Sequence, residues 1–377
     1  VLFDATGQSD STIDSSFVTT IAGLKIGAAF TGTVTLGVPL GISGSLVLSG
    51  GTLDVSASNY DLTITGDFDQ RAAATFTARS GTVYMTGTGD TLTLSGSSAF
   101  NNLTLDSGLV GYWKFDEGTG TEARDSSRNA NHGTLTNMVP GDDWVDISAG
   151  TGTTNFWNPY VLDFDGTNDY VRVTRTTELE PANEITIAYW MNSTDTTASH
   201  IVSKLSGSTG YVSYIGDGTH YFVVRGLTGI STTSSQAPAG SWEHVVNTYD
   251  GSNLHMYIDG VLKANPASTG TISHATSTDL IIGANARISQ YWDGLLDDVR
   301  IYDRALGASE VAALASGSSG GGSGRYVLGA ALDVNGDLGL YDSTLDVSTS
   351  NYGVNLAGSL MNSGDFTKRS GTVTLDG

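Results

Sequence analysis

The chain has 377 residues, with 17 Lys and Arg against 39 Asp and Glu, a formal net charge of −22, 49 Gly, 6 Pro and no Cys. That length allows two or three domains. Zero cysteine excludes disulfides, zinc–thiolate centres and thiol catalysis, though not an extracellular setting, and the shortage of basic residues argues against a nucleic-acid partner. No run approaches the roughly 18 apolar residues of a membrane span, so no membrane insertion is expected. The chain starts at Val1 with neither Met nor a signal peptide, and reads as a mature form or a piece of something longer.

Residues 1–108 carry short alternating runs, Leu46/Leu48, Leu53/Val55, Leu62/Ile64, Val83/Met85, Leu92/Leu94 and Leu103/Leu105, punctuated by Gly, Ser, Asn and Asp. Period 2 with Thr or Ser on the second face predicts strands, and no helical period appears. From 109 onward the pattern changes. The stretches GYWKFDEGTG (111–120), RDSSRNANHGTL (124–135), LDFDGTNDYVRV (162–173), ITIAYWM (185–191), WEHVVNTYDGSNLHMYIDGVL (242–262) and LIIGA (280–284) lead to YWDGLLDDVRIYDRALGASEVAALA (291–315). The last reads as a turn, a strand and a short helix, with Gly307 as N-cap and Glu310 reaching back to it.

These ordered motifs resemble the LamG-like branch of the concanavalin A-like lectin/glucanase superfamily, and the resemblance implies an antiparallel two-sheet jelly roll over 109–316. After it comes GSSGGGSG (317–324), read as a flexible linker, and then 325–377, where the short alternating runs return. GGTLDVSASNYDLTITGDF (50–68) is echoed by DSTLDVSTSNYGVNLAGSL (342–360), and ARSGTV (78–83) by KRSGTV (368–373). Within the first flank VLFDATG (1–7) matches VYMTGTG (83–89), and LKI (24–26) matches LTL (103–105). These echoes suggest repeats of roughly 80 residues. The offsets of 79 and 292 differ by 213, close to the 208 residues of 109–316, which places the jelly roll on one turn of a repeat domain. The expectation is thus an all-β chain: 1–108 and 325–377 form one repeat domain, most simply a β-solenoid, with tandem immunoglobulin-like sandwiches as the alternative. The flanks resemble repeat segments of large bacterial surface proteins.

For chemistry, the resemblance implies a structural Ca²⁺ joining the first and last strands. Asp116 and Asp298 stand at the matching motif positions, with Glu117, Asp125, Asn131 and Asp297 near in sequence or motif. Such hard oxygens suit calcium, although Asp125, Asn131 and Asp165 equally suit Asx turns. A sugar site needs flat aromatic faces beside polar groups, and the candidates are Tyr214, Asp217, His220 and Tyr221 around a Gly-Asp-Gly turn, and Trp292 before the last strand. Trp113, Trp190, Trp242 and Tyr257 read as core. Tyr291 and Trp292, being neighbours in a strand, face opposite ways. The glucanase Glu-x-Asp-x-x-Glu strand is absent, and Glu178 and Glu180 have no partner group, so no enzyme is expected. The reading is an extracellular or cell-surface structural and adhesive protein, a repeat stalk stacked end to end on copies of itself and displaying a calcium-stabilised domain for polysaccharide or glycan. The alternative is a purely structural fibre or surface-layer subunit.

Overall fold

A computed structural model describes the chain except residues 5–9, 17–19, 88–89, 95–98, 148–159, 194–198, 229–230, 236–238, 317–323, 363 and 376–377. It divides into two compact units, 1–107 with 320–377, and 108–319. The linker read at 317–324 lies outside the described residues save Gly324, which opens the strand Gly324–Leu328.

In the first unit every strand pairing is parallel and the chain visits three faces in turn. One face is an eight-stranded sheet and one is seven-stranded. The third consists of a four-stranded and a three-stranded ladder, and Phe100, which follows the first in the chain, forms a parallel bridge to Val334 of the second. Leu24 stands on Leu46 and Leu46 on Phe68, while Leu40, Leu62, Val83 and Leu103 stack on a second face. This is a β-solenoid, and the all-parallel ladders exclude immunoglobulin-like sandwiches, whose sheets are antiparallel. Alternation does the sorting: Leu46 and Leu48 are fully buried while Val47 between them is only half-buried. Phe68, Phe76 and Phe100 pack as one cluster of tilted and edge-on rings, 5.2 to 5.8 Å between centroids.

The corners explain much of the acidity. Backbone N–H groups at Thr33, Thr82, Thr91 and Ser359 donate to the carboxylates of Asp10, Asp61, Asp67 and Asp337 one coil earlier, at 2.7 to 2.9 Å. Such charge-assisted bonds satisfy turn groups that the sheets leave over. A second corner device is used twice. Arg79 forks onto Asp54 at 2.5 and 2.6 Å, and Arg369 forks onto Asp346 at 2.6 Å through both nitrogens. Both arginines have positive φ, 45° and 49°.

The echo between 50–68 and 342–360 is an echo of this corner, not of phase. Thr52–Asp54 lies in the four-stranded ladder and Ser343–Asp346 in the eight-stranded sheet. VLFDATG and VYMTGTG likewise contribute strands to different faces, as do LKI and LTL. The structural period is one coil, with corner partners 22 residues apart, rather than the roughly 80 residues suggested by the sequence echoes. The second unit leaves this chain between Asn102–Asp106 and Gly324–Leu328, consecutive strands of the coil path.

The second unit is a two-sheet antiparallel sandwich. In one sheet the long strand Asp293–Tyr302 lies between Tyr160–Asp165 and Ile185–Ser193, followed by Trp242–Tyr249, Leu254–Ile258 and Val261–Ala264. The other runs Gly133–Thr136, Tyr170–Val173, Leu280–Ile282, Ser199–Ser203, Tyr211–Gly216, Thr219–Val224, Ser231–Ser235. Trp113, Phe164, Tyr189, Tyr211, Phe222 and Trp292 fill the space between them. On the outer side of the first sheet, Leu306, Val311 and Leu314 from the helical segment cover Ala188, Val246, Tyr257 and Tyr302. Glu310 accepts from the Gly307 N–H at 2.7 Å, as the start signal implied. Trp113, Trp190 and Tyr257 are buried as expected, whereas Trp242 is only half-buried.

Candidate functional site

Two regions stand out from the sequence. The acidic one forms along one edge of Asp293–Tyr302. Leu109–Trp113 pairs with its residues 299–302, and Tyr160–Asp165 with residues 293–296. Asp297 and Asp298 fall at the changeover, where Asp298 sits at φ +50° and the pairing with Ile185–Ser193 shifts register. Asp116 and Glu117 come three and four residues after Leu109–Trp113, which pairs with the last strand.

The individual oxygens are mostly engaged. Asp125 accepts from the N–H of Tyr112, Ser127 and Asn131 and from the Ser127 hydroxyl, at 2.7 to 2.8 Å. Asn131 donates to the Val110 carbonyl and accepts from Thr176. These two residues organise a loop, and their side-chain oxygens already have donors. Asp298 accepts from the Tyr112 hydroxyl at 2.6 Å and from Arg300 at 3.4 Å, and the buried Asp297 accepts the Asp298 N–H. Glu117 takes the Arg124 N–H through one oxygen, while the other is buried with no hydrogen-bond partner. Among the described residues no group of three or more acidic or histidine side chains converges on a metal-sized site. Among the expected ligands Glu117 keeps one oxygen without a donor, whereas the side-chain oxygens of Asp125 and Asn131 are spent on hydrogen bonds that hold their loop. The loop 163–169 is a turn: Asp165 caps Thr167 and Asn168, and burial lifts the Asp169 carboxyl to about 6.

The second region is the outer face of the other sheet. Cross-strand register sets His200, Tyr214 and Tyr221 side by side. Tyr214 and Tyr221 stack at 4.7 Å and 7°, and His200 lies on Tyr214 at 5.0 Å and 13°. The three are half-buried. Burial holds His200 near 4, neutral at pH 7. Asp217 and Gly218, at φ +49° and +69°, form the two-residue turn joining the strands, and Asp217 is exposed at its tip.

Two of the expected sugar contacts lie elsewhere. His220 points the opposite way from Tyr221, into the sandwich, where its Nε2 is 3.0 Å from Glu243 and both side chains are nearly inaccessible. Trp292 is fully buried in the core; the half-buried member of that pair is Tyr291, whose hydroxyl donates to the Ile288 carbonyl. Of the five expected ligand contacts, only Tyr214, Tyr221 and Asp217 remain on the surface. Beside Glu243 the core also holds Tyr189 and Asn247, both bonded to the Ser213 hydroxyl. Glu180, expected to have no partner, holds Arg175 and Lys204 at 2.7 and 2.9 Å.

Next to His200 an open pocket of about 250 Å³ is lined by Ser203, Arg225, Asn285, Arg287 and Gln290. The 285–290 loop is held by Asn285, which donates to Ser289 and Gln290 and accepts from the N–H of Arg287 and Ser289. Sequence reasoning missed this pocket because its walls come from three segments far apart in the chain, around His200, Arg225 and Arg287. A neighbouring pocket of about 260 Å³ shares Leu205, Ala286 and Arg287 and contains the Arg172–Asp279 ion pair.

Residues 165–312 match the model of the concanavalin A-like lectin/glucanases superfamily. A comparison with curated proteins gave no match. Among solved structures the chain is similar to domain 4 of AbnA, an extracellular arabinanase from Geobacillus stearothermophilus, crystallised with arabinotriose. That likeness has 19% identity and a TM-score of 0.39, and covers 55% of this chain and 98% of that one. It is also similar to the binding domain of botulinum neurotoxin serotype D, at 11% identity and a TM-score of 0.41, covering 56% of this chain and 51% of that one. The receptor binding domain of the mosaic serotype C/D toxin gives 10%, 0.41, 56% and 51%. The second unit is thus a concanavalin A-like domain of the laminin-G type, inserted in the chain of a β-solenoid.

Proposed function

We propose that the inserted domain binds carbohydrate on its outer face, at the pocket beside the His200–Tyr214–Tyr221 stack. The observation that carries this is the join between the ring row and a pocket whose polar groups, Ser203, Asn285, Gln290 and two arginines, are of the kind that bond sugar hydroxyls. The two faces of Tyr214 are already covered by its neighbours, so the row offers edges and hydroxyls there. A sugar ring lies instead in the pocket against His200, with the edge and hydroxyl of Tyr221 at the end of the ring row.

The domain binds without catalysis. Glycoside hydrolysis uses two carboxylates flanking the bond, whereas the pocket lining has none, and the His220–Glu243 pair is sealed inside the sandwich. The solenoid serves as a rigid carrier in an extracellular or surface structure. Leu360 and Leu375 stand in register on Leu338 and Leu356, which are buried, yet are themselves exposed, as is Met361. A further coil, from the same chain or a second copy stacked on it, would cover them. Calcium at Asp116 and Glu117 would stiffen the junction of first and last strands.

A glycan array probed with the full chain and with Tyr221→Ala tests the binding reading. Saccharide binding that weakens in the variant supports it. No binding to any saccharide, with the chain folded, leaves the structural-fibre alternative.

A further inference from the structure

We infer that the pocket beside His200 accepts an acidic saccharide, its carboxylate or sulfate held between Arg225 and Arg287. This rests on the carbohydrate reading and narrows it. Of the twelve arginines in the chain, nine form an ion pair with Asp or Glu, and Arg128 stands near Asp303. Arg225 and Arg287 have no carboxylate partner among the described residues, and both line this pocket. In a chain with 39 acidic residues against 17 basic ones, two unmatched guanidiniums in one pocket free of Asp and Glu are a marked departure from the rest.

Arg225 is half-buried, and its Nε is inaccessible and lacks a hydrogen-bond partner. An unmet donor on a charged group is costly to keep. A carboxylate, or two oxygens of a sulfate, suits the guanidinium fork that Arg225 brings to this pocket. Arg287 is exposed on the 285–290 loop and lines the same pocket, bringing a second guanidinium to it. Within that loop Gln290 accepts from Asn285 through Oε1, which leaves its amide N–H groups as further donors. The neighbouring pocket does not suit an anion, because Asp279 lines it and already neutralises Arg172.

The test uses calorimetry on the full chain with matched saccharide pairs. Oligogalacturonate, sialyllactose and hyaluronan fragments are each compared with their carboxyl-reduced forms, and a sulfated oligosaccharide with its desulfated form. The variants are Arg225→Gln, Arg287→Gln and Tyr221→Ala, and inorganic sulfate serves as a competitor. At least one acidic member should bind about tenfold tighter than its neutral partner, and that preference should vanish in Arg225→Gln and shrink in Arg287→Gln. Tyr221→Ala should weaken both members of the pair alike. Equal binding of acidic and neutral members, or an acidic preference unmoved by both arginine variants, overturns the proposal and leaves the carbohydrate reading standing. Binding of inorganic sulfate as tight as that of the saccharide overturns it in favour of a plain anion site. No saccharide binding at all removes both.

Discussion

His244 should make the inserted domain sensitive to mild acid. It sits on the outer side of the first sheet, fully buried, with its ring 4.8 Å from that of Trp190. Neither ring nitrogen has a hydrogen-bond partner. Burial, assisted by the positive charge of Arg300, pushes its pKa down to about 3, because the charged form would lose hydration and gain nothing in return. Between an unfolded value near 6.5 and a folded value near 3, the unfolded chain binds a proton that the native state refuses. The stability tied to His244 is therefore intact above pH 6.5 and falls with pH down to about 3. One proton amounts to about 1.4 kcal/mol per pH unit, so moving from pH 7 to about 4.5 costs about 3 kcal/mol, a large share of the roughly 5–15 kcal/mol typical of a domain.

Other groups titrate too. Burial raises the carboxyls of Asp163, Asp169 and Asp303, and these act in the opposite sense, adding stability as pH falls. A comparison of variants cancels them. His244→Phe keeps an aromatic ring beside Trp190 and abandons no hydrogen bond of the ring, and any overpacking it causes is the same at every pH. All six tryptophans lie between 113 and 292, so tryptophan fluorescence in the full chain reports the inserted unit without the solenoid. Urea unfolding at pH 7 and about pH 4.5 should show the variant gaining about 3 kcal/mol on the wild type over that interval. A stability difference that is the same at both pH values would refute the assignment of His244 as an uncharged buried base.

Four further outcomes are expected. Asp346→Asn should weaken the solenoid by about 2 kcal/mol in circular-dichroism melts, since Arg325, Arg369 and the Ser348 N–H all converge on this one carboxylate. Arg369 holds that carboxyl near 2, so the difference between variant and wild type should persist above about pH 4 and disappear as pH falls toward 2. Gly283→Ala should cost the inserted domain about 3 kcal/mol by denaturant titration, because φ is +83° and the new methyl would meet the Phe164 ring. Calcium at a hundredfold excess over its Kd should stabilise the inserted unit by about 2.7 kcal/mol relative to EDTA; superimposable melting curves, or a shift that survives Glu117→Gln, would remove the metal. Excising 109–316 across a short Gly/Ser bridge should leave a folded β protein by circular dichroism, and an unfolded product would make the inserted block integral to the solenoid.

The strands were readable because alternation is a local property: Leu46, Leu48, Leu62 and Ile64 declare one buried face whatever sheet they enter. Which face they enter is not local. The DVS-x-SNY corner at 54–60 recurs at 346–352 because the same corner is built twice, with left-handed Ser56, Asn59, Ser348 and Asn351 and carboxylate acceptors at Asp54 and Asp346. Similar corners can therefore join different pairs of faces, and a repeat of letters need not be a repeat of structure. Alternation also held the correction for His220. Once Tyr221 is on the surface its neighbour must point inward, and Glu243 on the facing sheet receives it. For Tyr291 and Trp292 the rule said that one is buried without saying which; the larger ring went in.

The acidic balance was the feature of this sequence most easily mistaken for a function. A charge of −22 suggests divalent cations, yet Asp10, Asp61, Asp67 and Asp337 are acceptors for backbone N–H groups of the next coil, and Asp125 accepts from four donors, three in its own loop and one on the neighbouring strand. Carboxylates used this way are architecture, and their number grows with the number of corners rather than with affinity for any ion. Architecture likewise absorbs the arginines that pair with them, as at Asp54 and Asp346. Among the described residues Arg225 and Arg287 have no carboxylate partner, and both line a pocket with no acid of its own. Where fixed geometry supplies carboxylate partners to most of the arginines, the two lacking one are where an external partner has most to offer.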